Sequence, residues 1–419
     1  MAVFRVGCCP AKAGSSPLLN VIKSFDYEVI IAGGGPAGAS AAIHLASGGA
    51  RVLLAEQRKF PRQKLCGEFI SPECLLHFKN LGVDLRMLDA RPARLTETVF
   101  YSRSGSSASV PSSWFHGSGI ALGLSRAEMD EHLLRRASEV GVDVRENTQV
   151  TDIILEHDVV RGAVVKDELC EKQIRATITI DATGRTRALA RRVEKRSHGF
   201  PPQRASRVAF KAHLTNTQVL NGACEIYFYR GGYGGLSTIE NALSNLCFIV
   251  SAGDVRACDA DADRVMREVV CQNVRAKHTL AATQVYTPWL AVSLEGFGRH
   301  SLQPANGLLA IGDAASFIDP FTGSGMLMAM ESGELIASIV IRHLKEVQAH
   351  PVTAVVGERY RALYERKFAA RLRLCSAIRR AAFVPGLASF TIALARSSKT
   401  LRRRLTLATR FGSSSIVDG

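Results

Sequence analysis

Two hydrophobic periodicities alternate along the chain. Apolar runs that stop at glycine mark buried strands, the first from Glu28 to Ala32 ahead of Gly33, Gly34 and Gly35. A helix is expected from Pro36 to Ser47, ending at Gly48 and Gly49, and a second strand from Arg51 to Glu56. Two later runs have the same form: Ile178 to Asp181 leads into a turn at Gly184 and Arg185, and Gly307 to Ile311 ends at Gly312 and Asp313. The latter continues through Ser316 to Met326 into a helix through about Leu344. Between these segments the period becomes two. Val208, Phe210, Ala212 and Leu214 alternate with Lys211 and His213, and Ile226 and Phe228 alternate with Tyr227 and Tyr229. Gly234 to Glu240 and Leu243 to Val250 form a hairpin around Glu240 and Asn241, so this stretch is a mixed sheet of its own. Ser102 to Ser113, with seven serines in twelve residues, reads as a flexible loop. The fold class that follows is α/β, with an inserted mixed β-sheet domain and a C-terminal helical segment.

Composition narrows the class. With 419 residues, 47% hydrophobic and 22% charged, the chain is long enough for two or three domains and is neither disordered nor fibrous. Its longest apolar candidate, Ala381 to Ala395, is 15 residues long and contains Pro385 and Gly386, too short to span a bilayer. The ten cysteines never form a C-x-x-C pair, which argues for reduced thiols and a cytoplasmic chain with no zinc or iron–sulfur site. Of the net charge of +15, +12 lies between Glu358 and Arg410, where 14 Lys or Arg face two Glu. Such a segment suits an anionic membrane surface, a phosphate-bearing partner or a solvated helical face. Aromatic interleaving and recognisable nucleic-acid modules are missing, so no nucleic acid is expected. Residues 1–25 contain no acid and read as a disordered leader, without the apolar core of a secretion signal.

The first glycine turn carries chemistry. Gly33, Gly35 and Gly38 have the G-x-G-x-x-G spacing between a strand and a helix: a tight turn, a backbone able to approach a pyrophosphate, and close helix–strand packing. Glu56, ending the second strand 23 residues after Gly33, is placed to accept from ribose hydroxyls. This unit alone serves NAD or FAD equally; the later strand ends at Asp181 and Asp313 decide.

On these residues the chain resembles the glutathione-reductase-type FAD superfamily, in the branch of group A flavoprotein monooxygenases, geranylgeranyl reductases and flavin-dependent halogenases. The likeness covers roughly residues 26–345 and is closest to the geranylgeranyl-reductase-like oxidoreductases. It implies a Rossmann-like FAD-binding domain in which Gly33, Gly35, Pro36, Ala37, Gly38, Glu56 and Gln57 hold the ADP half. It implies that Gly312 and Asp313 meet the ribityl and pyrophosphate part. The loop Pro320, Gly323, Ser324, Gly325, Met326 is implied along the isoalloxazine, and Arg126, after Leu124 and Ser125, near the flavin phosphates. Val150, Asp181 and Gly184 complete the implied cofactor contacts. The glycines around Ser324 at a helix start would also stabilise negative charge on a reduced flavin.

Phe60 to Glu68 also resembles this branch, whose members carry a cysteine or small residue before a glycine close to the flavin. Two readings of Cys66 stand, a flavin-proximal residue that shapes or tunes the pocket and simple packing; Arg62 and Lys64 either meet phosphates or face solvent. Tyr227 to Gly235 either lines an apolar pocket, with Tyr233 an orienting hydroxyl beside the flavin, or is a glycine-rich turn. Catalytic flavin-proximal candidates are therefore Cys66, Tyr233, Pro320 and Gly323, with no metal. His44 and His213 read as helix-face and sheet-face residues.

The expected organisation is a leader (1–25), FAD domain (26–95), substrate-domain loop (96–118), FAD domain (119–195), substrate-binding sheet (196–295), FAD domain (296–345) and basic helical segment (346–419). The leading expectation is an NADH- or NADPH-dependent monooxygenase of an aromatic or lipid-like substrate, with a geranylgeranyl-reductase-like enzyme as runner-up and a halogenase third. Ala182 stands against the first, where typical hydroxylases have D-G; a missing Y-x-W-x-F-P stands against the second; a missing W-x-W-x-I-P stands against the third. The arginine-rich tail around an apolar patch suggests peripheral membrane attachment for collecting such a substrate.

Overall fold

The structure is a computed structural model that describes residues 25–115, 119–197, 206–295, 297–319, 323–346, 352–382, 392–393 and 396–408. The expected leader, Pro320 and most of Ala381 to Ala395 lie outside the described residues.

A parallel sheet forms the base of the site. Its order is Asp143–Arg145, Val52–Ala55, Tyr27–Ala32, Glu171–Asp181 and Leu308–Ala310. The expected apolar runs are these strands, and they are apolar throughout because both faces are covered. Val29, Ile31, Leu54, Ile178 and Ile180 face a core made with helices Pro36–Ser47, Arg126–Glu139 and Gly325–Glu346. Ile30, Leu53 and Ala176 face the other way, onto Val150, Ile153, Val160 and Val165. Those residues belong to the antiparallel strands Gln149–Glu156 and Val159–Lys166. The 11-residue strand Glu171–Asp181 joins both parts: its first half pairs with Val159–Lys166 and its last residues with the parallel strands.

Among the described residues the second sheet has eight strands. Arg207–Thr215, Ser244–Ser251, Gly232–Thr238, Ala223–Tyr229, Glu97–Tyr101 and Ser107–Pro111 lie side by side, and Gln284–Val285 and Leu290–Leu294 both pair with the first of these. Period two sorts its faces. Phe210, Leu214, Tyr227, Leu246 and Phe248 enter a separate core with Val265, Val270 and Ala276. The serine-rich segment is corrected here: Ser107–Pro111 is an edge strand antiparallel to Glu97–Tyr101, with Ala108 and Val110 turned inward between serines. Lys211 and His213 occupy the expected face, but that face meets the first domain rather than water, and both are buried.

The basic segment is also corrected in part. Helix Val352–Ala382 places Val356, Tyr360, Tyr364, Phe368 and Leu372 every fourth residue into the first domain's core. Arg371 is 2% exposed and donates to Glu331 at 2.6 Å, so it is an internal tie and no part of a membrane-facing surface.

Candidate active site

Between the glycine turn and the inner face of the second sheet lies a cavity of about 1090 Å³. Its floor is built by the first strand–helix unit. Gly33 has φ +108°, and a Cβ there would lie 2.5 Å from the Ala182 carbonyl oxygen, so only glycine suits the turn. A Cβ on Gly38 would sit 1.9 Å from the Gly33 carbonyl oxygen; its role is close packing, and it does not line the cavity. Gly35, by contrast, faces open space, with its nearest neighbour the Arg126 guanidinium at 3.9 Å. The helix Pro36–Ser47 therefore presents its N-terminus to the cavity, with Gly35, Pro36 and Ala37 on the wall and no acid in its first turn.

Glu56 is buried beside this turn. Its carboxylate accepts the Gly34 N–H at 2.9 Å and the Arg58 N–H at 3.0 Å, and Gln57 and Val150 line the adjoining wall. Among the described residues five cations of the FAD domain line the cavity: Arg58, Arg62, Lys64, Arg126 and Arg185. Asp130, fully buried, takes two bonds from Arg126 at 2.9 and 2.6 Å, and Arg62 reaches Asp130 and Glu56 only at 3.6 Å. Burial opposes charge on Arg126, but Asp130 holds it protonated well above the usual range. The Lys64 side chain stays open to the cavity; crowding by protein, then Arg126 and Arg62, push its ammonium down to about 8. Burial pushes the Asp313 carboxyl up, against the pull of Lys64, Arg185 and Arg126. The Arg62 Nε is buried without a hydrogen-bond partner. A floor with surplus cations, an orphaned donor and a helix N-terminus fits a diphosphate.

Other site residues divide. Gly184 (φ +70°), Asp313, Gly323, Gly325 and Met326 line the cavity. Asp181 does not. Its carboxylate accepts Thr183 N–H and hydroxyl at 3.0 and 2.6 Å and the N–H groups of Leu189 and Ala190 at 3.1 and 2.9 Å, all on the side of helix Ala188–Ser197. It is a helix cap, and the implied cofactor contact is withdrawn. Gly312 is likewise packing, since a Cβ there would meet the Ala37 Cβ at 2.8 Å. Ser324 is buried with its hydroxyl 4.0 Å from the Cys375 Sγ, away from the cavity.

Cys66 lines the cavity, held in a turn by Glu68 N–H to its Sγ at 3.4 Å and by Asn245 Nδ2 to its carbonyl at 3.1 Å. Cys224 and Cys247 line the opposite wall; burial raises both thiols, Cys224 to about 12, so they stand there as neutral thiols. Tyr233 lines the wall too and donates to Asp319 at 2.5 Å, whereas Tyr227 and Tyr229 face the far core and bond to Glu225 and the Ile249 carbonyl. Two features escaped the sequence reading. Glu68, in a left-handed backbone (φ +52°), accepts Lys211 Nζ at 2.6 Å, meets His213 Nε2 at 2.7 Å and accepts the Arg126 N–H at 2.9 Å, joining the two sheets beneath Cys66. The polar parity of Lys211 and His213 was the available signal. Ile392, Arg402 and Thr406 of the C-terminal segment also line the cavity.

Among the described residues no cluster of His, Cys, Asp or Glu could hold a metal ion, and no helix is long and apolar enough to cross a membrane. The FAD binding domain family model matches residues 26–351. The chain belongs to that family. It is an FAD-dependent oxidoreductase. Digeranylgeranylglycerophospholipid reductase of Methanoculleus marisnigri is 29% identical over 322 residues, covering 75% of this chain and 76% of that protein. A geranylgeranyl bacteriochlorophyll reductase-like protein of Thermoplasma acidophilum superposes with a TM-score of 0.73 at 20% identity over 93% of each chain. A triple mutant of a flavin-dependent brominase superposes with a TM-score of 0.73 at 20% identity, over 91% of this chain and 95% of its own. The two structures share the FAD-binding fold with its inserted sheet.

Proposed function

We propose that this enzyme reduces a carbon–carbon double bond in a long apolar, lipid-like molecule, drawing its electrons from NADH or NADPH. The observation that carries the reading is a segregation of charge across the cavity. Every ionisable floor residue lies on the FAD domain, while the inner sheet face offers Thr98, Phe100, Ala108, Val110, Ile226, Phe228 and Ile249 and no charged group. An apolar roof over a cationic floor suits a hydrophobic substrate laid against the flavin of a dinucleotide held by its phosphates.

In this reading Glu56 accepts the ribose hydroxyls, and Lys64, Arg62 and Arg126 neutralise the diphosphate at the helix N-terminus. Backbone N–H groups around Gly323 and Gly325 would hold the ring system, and Asp313 would bind the ribityl side. Bound and reduced, FAD would supply a hydride to one carbon of the double bond, with the balancing proton on the other drawn ultimately from solvent. The roof excludes water from the double bond, and Tyr233, hydrogen-bonded to Asp319, orients what lies beneath it. The reductase relatives are what raise this reading above hydroxylation, which uses the same roof. Hydroxylation stays as the second reading because a shared apolar roof serves both. Anaerobic incubation of photoreduced enzyme with a prenyl lipid tests the choice: flavin reoxidation with a product two mass units heavier is expected. Reoxidation only on admitting oxygen, with oxygen in the product, would turn the assignment to a hydroxylase.

A further inference from the structure

Among the described residues, Arg402 is the cation that lines the cavity from the C-terminal segment rather than from the FAD domain. Arg402 sits in the first turns of the C-terminal helix Lys399–Ala408, which lies against strand Ser107–Pro111 and the turn Ser112–Trp114. Its guanidinium carbon stands 5.5 Å from the centre of the Trp114 ring, and the residue lines the cavity. Its Nε is buried without a hydrogen-bond partner, and the residue makes no ion pair among the described residues. Among the described residues the acids lining the cavity are Glu56, Glu68 and Asp313, all on the FAD domain. A guanidinium stacked on an aromatic ring is fixed in direction, and its fork of donors suits a carboxylate or phosphate.

Position adds to this. Ser107–Pro111 is the edge strand, four strands away from Ser244–Ser251, whose Cys247 lies at the Cys66 end. Four spacings of about 4.8 Å separate these two strands by roughly 19 Å along the sheet, and the helix that carries Arg402 lies against the far one. We propose that Arg402 is a specificity-determining residue that anchors an anionic group at one end of the substrate, so that the apolar body reaches across the roof toward Cys66. The substrate class is then an extended amphiphile carrying a carboxylate or phosphate, recognised in part by a helix from the basic segment. This rests on the apolar-substrate reading above.

The test uses FAD-loaded full-length enzyme carrying Trp289→Phe, which leaves Trp114 as its single tryptophan reporter since the chain has two. Farnesyl phosphate, farnesol and inorganic phosphate are titrated separately. Farnesyl phosphate is expected to bind about tenfold or more tighter than farnesol and to perturb Trp114 fluorescence. Arg402→Gln should bring the two ligands to near parity without loss of FAD, and Arg402→Lys should restore part of the preference. A tenfold preference that survives Arg402→Gln, or its absence in the parent, would overturn the proposal. Inorganic phosphate that competes as well as farnesyl phosphate would assign Arg402 to a free anion and also overturn it. Failure of farnesol and farnesyl phosphate alike to bind would remove the apolar-substrate reading beneath it, a result distinct from equal binding of both.

Discussion

Asp181→Asn separates a cap from a cofactor ligand. The carboxylate serves four donors, two at each oxygen, and it is fully buried. An amide of the same shape turns one accepting oxygen into a donor, facing either Thr183 or the N–H pair of Leu189 and Ala190. Two hydrogen bonds to a charged group are lost, each worth about 1.5–3 kcal/mol, and a favourable charge at a helix N-terminus adds about 0.3–1 kcal/mol. Because these losses overlap, the expected destabilisation is about 3–4 kcal/mol, a large fraction of a domain's usual 5–15 kcal/mol. Urea unfolding followed by circular dichroism should show a lower midpoint with and without FAD, by the same free energy. FAD titration of the still-folded variant at low temperature should give a dissociation constant within about threefold of wild type, on the order of 0.6 kcal/mol. An unchanged urea midpoint with a tenfold or greater loss of FAD affinity would refute the cap and return Asp181 to the cofactor.

Four further outcomes follow from the site. Gly325→Val should keep the fold and most FAD binding but lose turnover, because its Cβ meets only Ile318 at 3.9 Å and the branches enter the cavity; unchanged steady-state rates would show that this wall is not catalytic. Glu68→Gln leaves Lys211 buried without its carboxylate and should cost about 3–5 kcal/mol at pH 7. Burial works against charge on Glu68, but His213 and Lys211 hold its pKa below the usual range, so wild type keeps this stability above the unfolded carboxyl pKa and loses it as pH falls through the lower folded value. Thermal melts of the two proteins should converge in acid, and a constant gap down to pH 2 would contradict the assignment. Lys64, its ammonium pushed down to about 8, should make FAD affinity fall as pH rises through that value, a dependence that titrations of Lys64→Gln should lack. A chain ending near Val356 should fail to give soluble folded protein, since it removes Tyr360, Tyr364 and Phe368 from the core at roughly 1.5–3 kcal/mol each; recovery of a cooperative thermal transition would refute this.

What the sequence made legible was local. Gly33, Gly35, Gly38 and Glu56 lie within one strand–helix–strand unit, so spacing alone relates them. Asp181 misled because an acid at a strand's carboxyl end looks the same whether it faces a ligand or caps a helix that begins at Ala188. Ser107–Pro111 was hidden by serine content although Ala108 and Val110 keep period two. Lys211 and His213 were sorted to the correct face, but their partner Glu68 is 143 and 145 residues away, beyond any pattern in the chain. In the C-terminal segment a count of arginines concealed a four-residue apolar spacing from Val356 to Leu372.

The contact between the first helix and Gly325–Glu346 has a consequence for biosynthesis. Ser40 Oγ donates to the Met330 carbonyl across 290 residues of chain, and a Cβ on Gly333 would lie 2.6 Å from the Ala37 carbonyl oxygen. The helix that begins at the glycine turn therefore lacks its main neighbour until about 290 further residues are made, roughly 15 to 60 s at 5–20 residues per second. During that interval the last residues of Glu171–Asp181 also wait, with one edge open, for Leu308–Ala310. The flavin can thus stabilise only chains already synthesised through Gly325–Glu346. Cofactor supply during expression should raise the survival of finished molecules while leaving the yield of nascent ones to chaperones.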